Sequence, residues 1–123
     1  MKKLLLLSVI LTCLFFSSCE EMLGLAKTKT IKYEVTGTAS SVSLTLNNKN
    51  DGTEQYSSVP LPWEMSFDVS IDSGSYYFAY VSAQNNGTTG TVTAKIYVDG
   101  SEFKSATSSG AYVIATASGS VNY

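Results

Sequence analysis

Ionisable side chains that could perform acid–base chemistry are few in this chain, and their spacing is unfavourable. The 123 residues contain 10 acidic residues and no histidine, and all 8 basic residues are lysines. A histidine-based catalytic triad is therefore excluded. Glu64, Asp68 and Asp72 alternate along one face of a predicted strand, where residues four apart are separated by roughly 13 Å. A pair of glycosidase carboxylates needs roughly 5–9.5 Å, so we predict that the protein is not an enzyme.

The sequence also gives little support for a metal, phosphate or nucleic-acid site. The acidic residues of segment 47–54 do not follow the alternating pattern of a calcium loop, and the segment is predicted to be a hairpin turn. Arginine, which holds phosphate through two-point contacts, is absent, and a net charge of −2 lacks the clustered positive charge that binds nucleic acid. The sequence leaves open whether Glu34, Glu54 and Glu102 approach one another across strands. We expect no metal, no cofactor and no nucleic-acid partner.

Three tyrosines crowd one predicted strand and cannot all be buried. Tyr76 and Tyr80 share a face with Phe78, whereas Tyr77 lies on the opposite face. Because only one face of such a strand packs on the core, at least one of these tyrosines must reach solvent. The alternation does not decide which one.

Other aromatic residues extend the candidate binding surface. Tyr97 faces outward if its apolar neighbours face inward, and Tyr56 lies in a polar strand. Trp63 shares a face with Met65 and Phe67, so we interpret it first as a core residue, with a ligand platform as the alternative. The candidate binding surface comprises Tyr56, Tyr77, Tyr97 and Trp63.

Two occupants suit such a surface. Exposed tyrosines beside the many hydroxyls of 19 serines and 13 threonines could stack on a sugar or contact a protein. The alternative is that the tyrosines pack across strands and simply cover the sheet.

The elements that position these residues are strands. From Thr30 onward apolar and polar residues alternate, as in strands with one buried face, and Ser-, Asn- and Gly-rich turns separate the runs. Asp99-Gly100 between two such runs predicts a type I′ hairpin. The predicted strands are 31–38, 41–47, 53–59, 64–71, 75–84, 91–98, 101–106 and 111–118. Seven or eight strands with one apolar face each predict an all-β fold of two packed antiparallel sheets.

The N-terminal segment is predicted to be an export signal. Two lysines and an apolar stretch of thirteen residues form a predicted signal peptide, 1–18. The apolar stretch is too short to span a bilayer as a helix. Phe16-Ser17-Ser18-Cys19 resembles a relaxed lipobox, which predicts acylation of Cys19 and a membrane anchor, with an ordinary cleaved signal peptide and an incidental cysteine as the alternative. The acidic pair Glu20-Glu21 resembles the surface-export signal of Bacteroidetes lipoproteins, with a plain linker as the alternative. We expect a lipidated tether, 19–29, before the β-sandwich domain, 30–123.

Several short segments, in order, resemble the globular domain of the MmpS family, the small accessory proteins of mycobacterial membrane transporters. They are Ile31-Lys32-Tyr33-Glu34-Val35-Thr36-Gly37, Val59-Pro60-Leu61-Pro62-Trp63, Val81-Ser82-Ala83-Gln84-Asn85, Lys95-Ile96-Tyr97-Val98-Asp99-Gly100 and Ser109-Gly110-Ala111-Tyr112. The resemblance implies an immunoglobulin-like, non-enzymatic sandwich on the exported side of a membrane, assisting a transporter. Two features depart from that family: lipid replaces its transmembrane helix, and its cysteine pair falls on Ala94 and Ala115.

Taken together, the sequence predicts a lipid-anchored, non-catalytic envelope protein of the bacterial outer membrane, facing the periplasm or the cell surface. The first hypothesis for its role is an accessory or binding module for an envelope or membrane transport protein. The alternatives are a surface glycan-binding protein and a purely structural surface lipoprotein.

Overall fold

Two antiparallel sheets of four strands each make up residues 25–123, the part of the chain described by this computed structural model. The strands are β1 Lys27–Thr36, β2 Val42–Asn47, β3 Thr53–Val59, β4 Trp63–Ile71, β5 Tyr76–Asn85, β6 Thr91–Val98, β7 Ser101–Ser109 and β8 Ile114–Asn122. Sheet A has the order β4-β1-β6-β7, and sheet B has the order β3-β2-β5-β8. The predicted all-β sandwich is confirmed, with the two-sheet architecture that immunoglobulin-like domains share.

The predicted signal peptide, the acylation of Cys19 and most of the tether lie outside the described residues. Within residues 25–123 the regular elements are strands, and no helix there could cross a membrane.

Most connections carry the chain from one sheet to the other. Only β2–β3 and β6–β7 are hairpins within a sheet of the described part. The β6–β7 turn has positive φ angles at both central residues, 50° at Asp99 and 82° at Gly100, as a type I′ turn requires. The sequence prediction for this turn is therefore confirmed.

The core lies between the sheets and is built from alternate residues of each strand. It includes Ile31 and Val35 of β1, Val42, Leu44 and Leu46 of β2, Ala79, Val81 and Ala83 of β5, and Val92, Ala94 and Ile96 of β6, all at most 1 % exposed. Ala94 in sheet A and Ala115 in sheet B, the positions at which the resembling family has cysteines, are both buried.

The hydroxyl groups of Tyr33 and Tyr77 meet inside the sandwich. Tyr33 belongs to sheet A and Tyr77 to sheet B, and their oxygens lie 3.2 Å apart. Tyr33 donates to the carbonyl of Asn47 at 2.7 Å and accepts the backbone N–H of Tyr80 at 3.2 Å. The Tyr77 hydroxyl lies 2.8 Å from the Asn47 carbonyl and 2.9 Å from that of Asn48, and its single proton serves one of them at a time. The two hydroxyls thus satisfy backbone groups where β2 ends and its ladder to β5 stops.

A buried asparagine performs a similar task at the other end of the sandwich. Asn85 has no exposed surface. Its side-chain nitrogen donates to the carbonyls of Thr89 and Gly110, each at 2.9 Å, and its oxygen accepts the N–H of Gly87 at 2.8 Å. The loops that follow β5 and β7 are thereby held together.

The first strand begins at Lys27, so the prediction that residues 27–29 belong to the tether was wrong. Lys27 and Lys29 pair with the end of β4. Both occupy core-facing positions in the alternation, but they lie at the open end of the sandwich. There Lys29 Nζ reaches Asp99 at 3.8 Å, and Lys27 Nζ lies 4.4 Å from the ring centre of Tyr123. Polar residues at core-facing positions hide this part of the strand from a hydrophobicity pattern.

The last strand spans Ile114–Asn122 rather than the predicted 111–118. Gly119 lies inside this strand, opposite Ala79 of β5, at a position where a side chain would crowd β7. A Cβ at this position would come within 2.8 Å of both the Phe103 ring and the Lys104 side chain. Pairing with β5, which continues as far as Tyr76 opposite Asn122, carries β8 beyond the predicted end.

We expect the substitution Tyr33→Phe to lower the free energy of unfolding by about 1–3 kcal/mol, because it leaves the N–H of Tyr80 without its acceptor. Urea unfolding of the full chain, followed by the fluorescence of Trp63, measures the change. Tyr97→Phe, which removes a hydroxyl from the outer face, is the matched control and should stay within about 0.5 kcal/mol of the wild type. Equal losses in both variants would contradict the role given to Tyr33.

The free energy of unfolding should also decrease at alkaline pH. Burial raises the pKa of Tyr33 and of Tyr77 above the ordinary tyrosine value of 10.0. The folded state then holds these protons more tightly than the unfolded state, so the contribution is complete below pH 10.0 and is lost as the pH rises above it. The free energy of unfolding should fall in that range, and less steeply in the Tyr33→Phe/Tyr77→Phe double variant. An unchanged slope in the double variant would argue against this assignment.

Candidate functional site

The outer face of sheet A is charged, and Tyr97 lies in its middle. It carries Lys32, Glu34, Glu64, Asp68, Lys95 and Glu102. The predicted outward position of Tyr97 agrees with the structure, which pairs it with Lys32 on one side and Glu102 on the other. Lys32 Nζ lies 5.1 Å from the centre of the Tyr97 ring, within cation–π range.

Lysines neutralise part of the acidic charge on this face. Lys32 Nζ lies 3.5 Å from a carboxylate oxygen of Glu34 and 3.5 Å from one of Glu64. Burial alone would lower the pKa of Lys32, but the two carboxylates outweigh it and raise the pKa above 10.5. The pKa of Lys95 is raised chiefly by its hydrogen bond to Glu102, whose oxygen lies 3.2 Å away. The cluster therefore works as a set of ion pairs.

Trp63 and Tyr56 meet where the edge strands β4 and β3 face each other. Their ring centres are 6.0 Å apart, with the ring planes at 49°. Trp63 is half-buried and packs against the core, in agreement with our first interpretation. Its remaining surface lines an open pocket of about 370 Å³ with Glu34, Thr36, Pro62 and Glu64. Tyr56 is also half-buried and donates to Glu54 at 3.3 Å, so Glu54 lies apart from the charged face.

Tyr77 must be removed from the candidate surface. It is 7 % exposed, because it lies on the same side of β5 as Ala79 and Val81 and packs between the sheets. Its ring contacts that of Phe67 edge-on, with the ring centres 6.0 Å apart. The sequence prediction that one face of this strand reaches solvent is correct, but Tyr77 is on the other face.

The exposed face of β5 carries an aromatic row, Tyr76, Phe78 and Tyr80, that the list of candidate residues missed. Tyr76 is 65 % exposed and Phe78 is 43 % exposed. The rings of Phe78 and Tyr80 are nearly parallel, with planes at 27° and centres 6.5 Å apart. A signal for this row was present in the sequence. The small apolar residues Ala79, Val81 and Ala83 continue the face of Tyr77, which marks that face as the buried one.

A polar row runs beside the aromatic row on the neighbouring strand. Ser118, Ser120 and Asn122 of β8 lie directly opposite Tyr80, Phe78 and Tyr76, respectively. Ser120 and Asn122 are exposed. Each aromatic side chain therefore has a hydroxyl or amide neighbour in register on the outer face of sheet B.

Among the described residues, the strands of sheet B carry no charged side chain on their outer face, and the carboxylate of Asp51, in the β2–β3 turn, lies at one end of this face. The four strands contain a single ionisable acidic or basic residue, Glu54, whose register partner is the buried Leu46. At one end of the aromatic row an open groove of about 330 Å³ is lined by Thr45, Leu46, Asn47, Asp51, Thr53, Phe78 and Tyr80. The groove joins the rings to hydroxyl and amide groups of β2 and β3.

Glu34 and Glu64 are cross-strand neighbours, but one ammonium group bridges both carboxylates. Within residues 25–123 no three acidic, cysteine or histidine side chains converge on a metal position. The chain thus offers two chemically different surfaces, one charged around Tyr97 and one neutral around the aromatic row.

The two faces of β5 should respond differently to truncation of neighbouring tyrosines. Tyr77→Ala removes a packed ring and the hydroxyl that donates to the carbonyls of Asn47 and Asn48. We therefore expect a loss of about 3–5 kcal/mol in the free energy of unfolding. Tyr76→Ala, one residue away, should stay within about 0.5 kcal/mol of the wild type. Chemical denaturation of both variants checks this, and similar losses would contradict the assignment of the two faces.

Comparison with known protein families assigns a family to this chain. The family model described as Mycobacterium membrane protein matches residues 17–118, most of the chain, from before β1 to the middle of β8. No curated protein matches the chain. The matched family is of the MmpS type, which is associated with mycobacterial membrane and transport-related function and is not a known enzyme family. The segments that resemble the MmpS domain and the family match over most of the chain lead to one conclusion: this protein belongs to the Mycobacterium membrane protein (MmpS-type) family.

Proposed function

We propose that this protein is a non-catalytic, lipid-anchored accessory module that binds a membrane transport protein of the cell envelope. The family match carries the proposal, since the family is associated with membrane and transport-related function. The chemistry of sheet A supports a binding role, because Lys32 is paired with Glu34 and Glu64 and Lys95 is paired with Glu102.

The charged face of sheet A is the surface that we assign to the protein partner. Aromatic side chains surrounded by charged groups are typical of protein contacts, in which aromatic anchors supply affinity and charges supply orientation. Tyr97 is the aromatic centre of this face, and the exposed part of Trp63 borders it next to Glu64. Lys32 and Lys95 provide positive charge among four carboxylates, so a partner surface of mixed charge fits best.

The proposed anchor keeps this face close to the membrane. Acylation at Cys19 would leave eight residue steps to Lys27, the first residue of β1. An extended chain of that length reaches at most about 28 Å. The partner surface must therefore lie near the lipid headgroups, where the exported part of a transport protein is accessible. An outer-membrane lipoprotein facing the periplasm or the cell surface meets this condition.

Site-directed photo-crosslinking in native membranes tests the proposal. A photoreactive phenylalanine analogue at position 97 should yield an adduct with a membrane transport protein, identified by mass spectrometry. The same analogue at Phe78, on the outer face of sheet B, is the matched control and should not yield that adduct.

The anchor requires a separate control. The Cys19→Ser variant should appear in the soluble fraction and lose the adduct at position 97, because the lipid no longer holds the domain at the membrane. Absence of any transport protein among the adducts at position 97 would overturn the accessory role, and the same adduct at both positions would overturn the assignment to sheet A.

A further inference from the structure

We propose that the outer face of sheet B binds a neutral, linear glycan along the aromatic row of Tyr76, Phe78 and Tyr80. This inference is independent of the transport partner, because it concerns the opposite sheet and a different class of ligand. It rests on the exposure of the rings, on their register with the polar row and on the absence of charge.

Folding does not require aromatic side chains at the exposed positions of this row. Tyr76 and Phe78 are 65 % and 43 % exposed, although Ser82 and Gln84 on the same face of the same strand show that polar residues are accommodated there. The C–H groups of a sugar ring carry a weak positive charge and pack on the negative face of an aromatic ring. Exposed rings on a rigid strand therefore provide stacking surfaces at little cost in conformational entropy.

The row has the form of a repeating track. Successive rings are two residues apart on one strand, a spacing of roughly 6.6 Å that repeats twice along β5. Beside each ring lies one group from the polar row, so that Asn122, Ser120 and Ser118 accompany Tyr76, Phe78 and Tyr80 in that order. A ligand that combines one apolar face with hydroxyl groups in each repeating unit matches this pattern. A linear chain of sugars has that composition.

Charge distinguishes a glycan from a protein at this face. Protein surfaces carry about a quarter to a third of their residues as charged side chains, and burying these against a neutral face leaves charges without partners. The strands of sheet B offer no ionised group on the outer face to compensate them. Neutral sugars present only hydroxyl groups, which Thr45, Asn47 and Thr53 of the groove can meet with hydroxyl and amide groups. The carboxylate of Asp51, which also lines the groove, accepts a hydrogen bond from Asn47 at 2.9 Å and can accept one from a sugar hydroxyl.

Calorimetric titration of the full chain tests the proposal. The protein is kept in a detergent with a poly(ethylene oxide) headgroup, since glycoside detergents would compete for the site. The probes are malto-, cello- and manno-oligosaccharides of increasing length. For at least one series, affinity should rise with length until the ligand covers the row and then level off. Because the ligand is neutral, the affinity should not change between low and high salt.

Substitutions locate the site. Tyr76→Ser and Phe78→Ser should each weaken binding about tenfold by removing one stacking surface, whereas Phe78→Tyr should retain it. Tyr97→Ser, which removes a tyrosine from the opposite sheet, and Tyr112→Ser, which removes one that is 58 % exposed at the end of the sandwich, are the matched controls and should bind as the wild type does.

Several results would overturn the proposal. They are a flat titration with all three series, equal weakening by Tyr97→Ser, and binding that requires an anionic polysaccharide and disappears in salt. Adducts of a photoreactive residue at position 78 with a protein, in the absence of glycan binding, would show that the face contacts a protein instead. Failure of crosslinking at position 97 would leave these titrations unaffected, so the two proposals can fail separately.

Discussion

The meeting of the Tyr33 and Tyr77 hydroxyls between the sheets is the interaction on which the rest of the structure depends. The two sheets are packed face to face by apolar contact, which is non-directional and does not by itself specify how one sheet lies on the other. The hydroxyls add direction, because each must find a partner once it is buried. Their partners are backbone groups at the end of β2, and these partners position both the β2–β3 turn and the adjacent part of β5.

Burial of Tyr77 has a consequence on the opposite side of the same strand. Successive side chains of a strand point to opposite faces, so a buried Tyr77 places Tyr76 and Phe78 in solvent. The register of β5 therefore determines both the burial of Tyr77 in the core and the exposure of the aromatic row. A slip of one residue in β5 would exchange them, exposing Tyr77 with the alanines and valine that follow it and burying the aromatic row.

The distribution of charge divides the molecule into two chemically different faces. The strands of sheet A carry the lysine–carboxylate cluster around Tyr97, and those of sheet B carry hydroxyl, amide and aromatic groups. Membership in the Mycobacterium membrane protein family supports an association with membranes and transport. A partner protein and a neutral glycan would use opposite faces, so one module could contact both at the same time. The small domain would then link an envelope protein to a polymer.

The amino-acid sequence by itself determined the fold class, the approximate position of every strand, the type I′ turn at Asp99-Gly100 and the packing of Trp63 on the core side of its strand, because alternation and turn chemistry are local properties of the chain. It also determined that catalysis by histidine is excluded. Only the tertiary structure decided which tyrosine of β5 is buried, since that choice depends on the partners that Tyr33 and the end of β2 provide across the sandwich. It also decided that β1 starts at Lys27 and that β8 continues through Gly119. In both places pairing with a neighbouring strand, β4 for β1 and β5 for β8, extends the element beyond the range that the alternation of residues predicted.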